Sequence, residues 1–313
     1  MNKIFVFGSI NMDLVFSVNR IPQKGETISS HGFFMSPGGK GANQAVAIAK
    51  QGTPIILIGS IGSDPLSLEC KEQLIKYGVD IRHVTELKDI NCGVAGIFIE
   101  NGDNRIIIDA GANEIHDMDK VNKLLVSSGY SGDYLISQLE IPIEAIEVAF
   151  FTAKQQKMLT ILNASPAKSI PLKLYQMTDI LAVNEIEIEA LTGITAINQA
   201  HIHQAAQVLF QRGVKAVLLT LGEKGSVFMD NQKTVWQNSY PVEAIDTTAA
   251  GDTYIGVFAS TLSEGYSIEE AMNKASLAAS LAIGKLGAQT SIPTRDMILE
   301  FELKMKEEKN EKA

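Results

Sequence analysis

Ile4-Phe5-Val6-Phe7-Gly8-Ser9-Ile10-Asn11-Met12-Asp13 opens the chain with a short apolar run and closes it on a glycine, a serine, an amide and a carboxylate. A run of that length and character reads as a strand buried on both faces, with polar groups gathered at its carboxyl end. Five further runs are alike: Ile55–Ile58, Tyr134–Ser137, Leu159–Leu162, Ile180–Val183 and Ala216–Leu219. Between them, apolar residues recur at helical spacing, as in Ala42, Ala45, Val46 and Ala49, then Ile143, Ile146 and Phe150, then Ile202, Ala205, Ala206 and Leu209. Strands alternating with helices in this way predict an α/β fold with a mostly parallel sheet built from crossover units.

Two segments depart from the alternation. Asp13–Pro37 carries Pro22, Gly25 and Gly32 without helical period, and Gly93–Ile99 with Arg105–Asp109 flanks Asn101-Gly102-Asp103-Asn104, a strong hairpin signal. Together they predict a small β-sheet, from segments near 13–37 and 92–112, projecting from a single domain that takes up residues 1–313. A sheet that small has no second layer of its own, so it either covers a site as a lid or pairs with another subunit. The carboxyl-terminal third is predicted helical over Gly251–Leu262, Ile268–Ile283 and Met297–Lys306, with the last ten residues frayed into solvent. Trp236 falls in a further strand near the small sheet.

Composition narrows the function classes. Of 313 residues, 45% are hydrophobic and 20% charged, which excludes disordered and fibrous chains. Lys plus Arg total 27 against 36 Asp plus Glu, a net charge of −9, so the broad cationic field of a nucleic-acid binder is missing. Two cysteines far apart in the sequence, Cys70 and Cys92, supply neither a metal motif nor a disulfide framework and point to a reducing compartment. No apolar run approaches the ~20 residues of a membrane span, and the first apolar run is too short for a signal-peptide core. The expected location is cytoplasmic. His201 and His203, on an amphipathic helix, read as surface or core residues rather than ligands.

An acidic protein that handles an anionic ligand needs local means of holding it. Asp246-Thr247-Thr248-Ala249-Ala250-Gly251-Asp252 offers one, because small residues at a helix start leave backbone N–H groups free to face a phosphate. Asp252 in that first turn reads either as a helix cap or as a catalytic acid–base group. Gly38-Gly39-Lys40-Gly41-Ala42-Asn43 lets backbone approach a ligand closely just before a helix, although a flexible loop with a solvated lysine has the same composition. There is no GxxxxGK[ST] string and no GxGxxG after the first strand. Position ties the pieces together: Asn11 and Asp13, Glu140, Asn184, and Thr220 with Gly222 and Gly225 each follow a predicted strand, and ligands of parallel α/β sheets bind beyond those ends.

These residues carry a resemblance. Gly38 to Asn43 followed by Gln44-Ala45, and Asp246 to Asp252, resemble the two signatures of the PfkB-type (ribokinase-like) carbohydrate kinases, with further similarity from Gly8–Asp13 to Gly287-Ala288-Gln289. The resemblance is greatest to the ribokinase branch. It implies a three-layer α/β/α domain with a small β lid, and ATP-dependent phosphorylation of a primary hydroxyl of a furanose, with D-ribose giving D-ribose 5-phosphate. By matching position, Asn11, Asp13, Gly39, Lys40, Asn43 and Glu140 would hold the sugar. Asp252 would be the base, and the N–H groups of Ala249, Ala250 and Gly251 the anion hole. Asn184, Glu187, Thr220, Leu221, Gly222, Glu223, Lys224 and Gly225 would serve ATP and Mg2+, with Ser276 near the adenine. Asp246, Thr248, Ala282, Lys285, Gly287 and Ser291 correspond to a loop for a monovalent cation, K+. A homodimer through the lids is also implied. Ile255 and Val257 depart from the second signature, and Ser276 stands where relatives tend to have Asn or His.

Two other readings stay open at this level. One is a kinase of the same family acting on deoxyribose, another sugar or a nucleoside, with Met12, Met35 and Ala95 as pocket residues that would decide. The other is a sugar-binding regulatory protein without turnover.

Overall fold

The structure, a computed structural model, describes residues 2–100 and 103–311. Its strands are β1 (Ile4–Phe7), β2 (Asn11–Val18), β3 (Gly32–Gly38), β4 (Ile55–Ile61), β5 (Asp80–Glu86), β6 (Gly93–Glu100) and β7 (Asp103–Asp109), followed by β8 (Tyr134–Gln138), β9 (Leu159–Asn163), β10 (Ile180–Asn184), β11 (Ala216–Thr220), β12 (Ser226–Asp230) and β13 (Thr234–Gln237). Nine form one sheet in the order β13-β12-β11-β10-β9-β8-β1-β4-β5. It is parallel except where β12 runs against β11 and β13.

Alternation along each strand builds the layers. Ile4 and Val6 join one buried cluster with residues of the helices Lys40–Lys50, Ala250–Ser263 and Ile268–Ile283, whereas Phe5 and Phe7 join another with the helices Met118–Ser128, Ile143–Gln155 and Gln199–Gln211. Successive strand side chains point to opposite faces, so one sheet divides two helical layers, each fully buried Leu or Phe contributing about 1.5–3 kcal/mol. The six strands expected from the apolar runs are all present, and the helix Ile268–Ile283 has the expected bounds. β5 and β12 carried too little apolar signal to be anticipated. Trp236 lies in β13, at the edge of the nine-stranded sheet rather than beside the small one.

β3-β2-β6-β7 form the small sheet. Asn101 and Gly102 of the expected hairpin turn lie outside the described residues. β2 pairs with β6 in parallel, Asn11 opposite Gly93, Asp13 opposite Ala95 and Val15 opposite Ile97. The period of two therefore puts Ala95 on the same face as Asn11 and Asp13 but Met12 on the other, where it is buried in the core. Met35, opposite Leu14, also lies on that other face. Of the three residues named as pocket determinants, only Ala95 shares the face of Asp13. Phe33, Phe34, Met35, Ile106, Ile107 and Ile108 are exposed on this sheet.

The last helix, Arg295–Glu311, continues through residues expected to fray, with Phe301 and Met305 packed on the core and Lys306 paired to Glu302 one turn earlier. The two cysteines meet despite their separation in sequence: their Sγ atoms are 4.0 Å apart as free thiols, and Cys70 Sγ lies 3.4 Å from the Asn11 carbonyl.

Candidate active site

The site begins where β1 ends. Gly39, with φ of 87°, caps the helix Lys40–Lys50 without a side chain, and a Cβ there would lie 2.7 Å from Asn11 N, so only glycine fits. The missing cap is supplied from a distant strand. Glu140, just past β8, accepts from Lys40 N at 3.0 Å, from Ser9 Oγ at 2.6 Å and from Asn11 Nδ2 at 3.5 Å, all through Oε2. A carboxylate at a helix N-terminus satisfies an orphan N–H and the helix dipole together.

Asp13 stands beside this group with little access to water. Burial, then the charges of Glu140 and Asp252, push its carboxyl up to about 7, against the pull of Lys40. Burial works to lower the pKa of the Lys40 ammonium, but Asp252, Glu140, Glu187 and Asp13 outweigh it and hold the group above the ordinary lysine value. Lys40 is thus the cation that makes this concentration of carboxylates tolerable.

Asp252 is held by another helix rather than capping its own. Both its oxygens are engaged by side chains of the helix Lys40–Lys50, with Asn43 Nδ2 on Oδ2 at 3.1 Å and Gln44 Nε2 on Oδ1 at 3.0 Å. Burial raises its pKa, opposed by Lys40 and by those two hydrogen bonds. Its own helix starts at Ala249, a non-glycine residue in the left-handed region with φ of 59° and no side-chain cap. Ala250 N makes a 3.3 Å bond to Thr247 O, while a Cβ on Gly251 would meet nothing within 4 Å, so the turn opens at Gly251.

That opening is one wall of a cavity of about 190 Å³, bounded also by Lys40, Asn163, Glu187, Thr220 and Asp252. Larger hollows lie around Arg212 (about 560 Å³) and His116 (about 330 Å³), but neither sets a buried carboxylate beside main-chain donors at a helix start. Asn184 and Glu187 form a reciprocal capping box, Asn184 Oδ1 accepting from Glu187 N and Glu187 Oε2 from Asn184 N at 2.8 and 2.9 Å. Burial raises the Glu187 pKa. Thr220 reaches the cavity, but Leu221, Gly222, Glu223, Lys224, Gly225 and Ser276 do not line it. Three of them meet residues 237–239 instead, Gly225 packing against the Gln237 carbonyl, Glu223 O accepting from Ser239 and Ser276 Oγ donating to Asn238 O at 3.1 Å, while Lys224 pairs with Glu185 and Leu221 is buried in the core. Ile255 borders the cavity and Val257 is buried in the core, so both departures from the signature are packed.

Asp246 ties the loop before the Ala250–Ser263 helix to the end of the next one. Its Oδ1 accepts from Thr248 N and its Oδ2 from Gly287 N, both at 2.9 Å, and Ile283 O accepts from Ile245 N and Asp246 N. Ala282 and Lys285 belong to that same turn through Lys285 N to Ala282 O, and Ser291 follows Gly287 by one turn with its hydroxyl on Ala288 O. Among the described residues no cluster of three His, Cys, Asp or Glu side chains could hold a metal ion.

Sequence reasoning missed Ser9, Gln44, Asn113, Gln138, Asn163 and Ser165. The rule about strand ends would have found Asn163, the last residue of β9. Asn113 is fully sequestered and bonds Ile10 N, Ile10 O and Asn11 Oδ1 at 2.9, 3.2 and 2.7 Å.

A doubly covered α/β sheet with a β lid, an amide-lined helix start and a buried carboxylate at the same edge defines a phosphotransferase acting on an alcohol. Residues 1–295 match the profile described as pfkB family carbohydrate kinase, and the chain belongs to that family. It is 37% identical over 297 residues to a ribokinase of Haemophilus influenzae, covering 95% of this chain and 97% of that one. It is 32% identical over 303 residues to a deoxyribokinase of Salmonella typhi, covering 95% and 98%. A solved structure described as Arabidopsis thaliana ribokinase complexed with ribose and ATP superposes with a TM-score of 0.87 at 33% identity, covering 96% of this chain and 98% of that one.

Proposed function

We propose that the protein transfers the γ-phosphoryl group of ATP to the primary hydroxyl of D-ribose, with Asp252 as the general base. The observation that carries this reading is the Asp252 carboxylate itself, buried, held through both oxygens by Asn43 and Gln44, and set on the wall of the cavity that Gly251 opens. Its raised pKa brings it closer to a hydroxyl proton than an ordinary carboxylate, a role worth about 10²–10⁴ in rate. Asp13 and Glu140 accept from vicinal hydroxyls, since a carboxylate can take two such donors, and Asn11, Gly39, Lys40 and Asn43 complete the sugar side. The N–H groups of Gly251 and Ala249 would face charge developing on the transferred group, joined by Ala250 where its N–H, bonded to Thr247 O at 3.3 Å here, is released. The lid sheet excludes water, the competing acceptor.

Asn184, Glu187 and Thr220 fit the phosphate and Mg2+ side, and residues 221–225 with Ser276 the adenine side. The Glu187 carboxylate on the cavity wall suits a hydrated magnesium ion, which when bound would neutralise the triphosphate. Asp246, Thr248, Ala282, Lys285, Gly287 and Ser291 present carboxylate, hydroxyl and carbonyl oxygens, a hard donor set that fits K+ and would brace the Ala249–Gly251 turn. The exposed apolar residues of the lid support a homodimer through that sheet. A cytoplasmic location accords with two free thiols and with the absence, among the described residues, of a helix long and apolar enough to cross a membrane. The acidic net charge speaks against nucleic acid as a partner.

The test is ADP release with ribose, deoxyribose, other sugars and nucleosides, in wild type and Asp252→Asn, with K+ or Na+ present. Ribose-dependent turnover that Asp252→Asn abolishes is the expected result. Equal, sugar-independent rates in both proteins would refute it, and preference for deoxyribose would reassign the substrate within the family.

A further inference from the structure

We propose that Gln44 is a positioning residue for the base, fixing the orientation of the Asp252 carboxylate and itself fixed by Gln138. This inference rests on the reading of Asp252 given above. Gln138 Nε2 donates to Gln44 Oε1 at 2.6 Å, and Gln44 Nε2 donates onward to Asp252 Oδ1 at 3.0 Å and Asn163 Oδ1 at 3.2 Å. The direction of the chain matters. An amide is ambiguous by itself, but with its oxygen taken by Gln138, Gln44 can offer Asp252 only its nitrogen, which is what an ionised carboxylate requires. Asn43, the adjacent residue on the same helix, donates to the other carboxylate oxygen. Two neighbouring amides thus grip both oxygens and suppress rotation, leaving each oxygen a lone pair for a substrate hydroxyl.

The surrounding backbone is shaped for this chain. Gln44 and Gln138 are both fully removed from solvent. A Cβ on Gly8 would lie 2.0 Å from Gln138 Oε1, and one on Gly256 would lie 2.9 Å from the Gln44 carbonyl and 2.5 Å from Ala47 Cβ. Glycine at 8 leaves room for the relay's outer amide, and glycine at 256 lets the helix bearing Asp252 approach the helix bearing Gln44. Among the described residues Gln138 Oε1 has no partner, so the second amide contributes its N–H and little else. A buried polar group kept at that cost without a compensating bond points to a role beyond packing.

The experiment uses the full chain with ATP and ribose and compares Gln44→Met, Gln138→Met, the double variant and Asp252→Asn. Methionine keeps the length and removes the amide. Gln44→Met should lower kcat about 10–100-fold, the range set by loss of one hydrogen bond to a charged group, with KM for ribose and ATP little changed. The acid limb of its kcat profile should move to higher pH, because the lost donor favours the charged carboxylate. Lys40, Asp13, Glu140 and Glu187, the charged groups that face Asp252, are the same in every variant, so that movement isolates the amide. Gln138→Met should change kcat and the acid limb in the same direction by less, and the double variant should be no worse than Gln44→Met. The inference is overturned if a folded Gln44→Met keeps wild-type kcat and acid limb, or if the two effects multiply as independent packing defects would. Should Gln44→Met fail to fold, an unmoved acid limb in Gln138→Met overturns it equally. Ribose-dependent turnover surviving in Asp252→Asn would instead defeat the assignment of the base, a different result from an Asp252-dependent enzyme indifferent to Gln44.

Discussion

Asn113 Nδ2 donates to Asn11 Oδ1 at 2.7 Å, so a residue 102 positions downstream decides which end of the Asn11 amide faces Glu140. With its oxygen occupied, Asn11 turns its nitrogen toward Glu140. Asn113→Asp keeps an acceptor for Ile10 N–H but loses both donors and sets a charge against Asn11 Oδ1. We expect the KM for the sugar to rise about tenfold while kcat changes less, since the loss falls on binding. Steady-state kinetics with sugar as the varied substrate checks it, and a folded variant with unchanged KM would contradict the linkage.

Asp13 makes stability depend on pH. Its folded pKa of about 7 lies above the ordinary value of 3.8, so the folded chain keeps a proton that the unfolded chain releases, and stability is lost as pH rises through that window. Asp13→Asn removes the penalty: it should melt above wild type at about pH 8, by the equivalent of about 2–4 kcal/mol, and match it near pH 4. The same variant should bind ribose poorly at either pH. Melting curves across the range decide the matter, and a constant difference would count against Asp13 as its source.

Gly256→Ala probes the contact that brings the helix of Asp252 against the helix of Gln44. The new Cβ would sit 2.5 Å from Ala47 Cβ, which the helices can relieve only by separating. A cost of about 1–3 kcal/mol is expected from overpacking, together with a fall in kcat as Asp252 draws away from Asn43 and Gln44. Thermal unfolding and kinetics on one preparation test both parts; full stability with full kcat would show the contact to be slack.

Ile107→Lys puts a charge on the most exposed apolar residue of the lid, 69% accessible in the isolated chain. If the lids pair, this variant should sediment as a monomer where wild type sediments as a dimer, with its melting curve little altered. Sedimentation velocity at micromolar concentration distinguishes the outcomes.

Much of this architecture could be read directly from the chain. Short β-branched runs gave six strands of the large sheet because burial on both faces leaves an uninterrupted apolar signature. The rule that polar groups gather past strand ends led to Asn11, Glu140, Asn184 and Thr220. Residues acting through long-range contacts left no such trace. Gln138 and Gln44 are 94 positions apart, and nothing in the spacing says that their amides touch. Met12, Met35 and Ala95 could not be assigned a face from the sequence for a related reason: alternation puts neighbours on opposite faces, but which of them share the face of Asp13 follows only from pairing with β3 and β6. Asp252 was legible as a residue at a helix start, but its partners Asn43 and Gln44 lie about two hundred positions away and left no local mark.

Asn11 and Asp13 belong to β2, the strand that emerges from β1 and becomes part of the small sheet, whereas Asp252 and Gly251 belong to a helix of the main body. The residues proposed for the sugar are therefore divided between the two parts, Asn11 and Asp13 on the small sheet and Lys40, Asn43 and Glu140 on the main body with Asp252. Under the proposed roles, a shift of the small sheet would move Asn11 and Asp13 against Glu140, which follows β8 of the large sheet, and against Asp252, so the sugar pocket would be whole only with the sheet placed as it is here. Docking of the sugar and sealing of the chamber would then coincide, which would disfavour hydrolysis of the nucleotide in an open chamber.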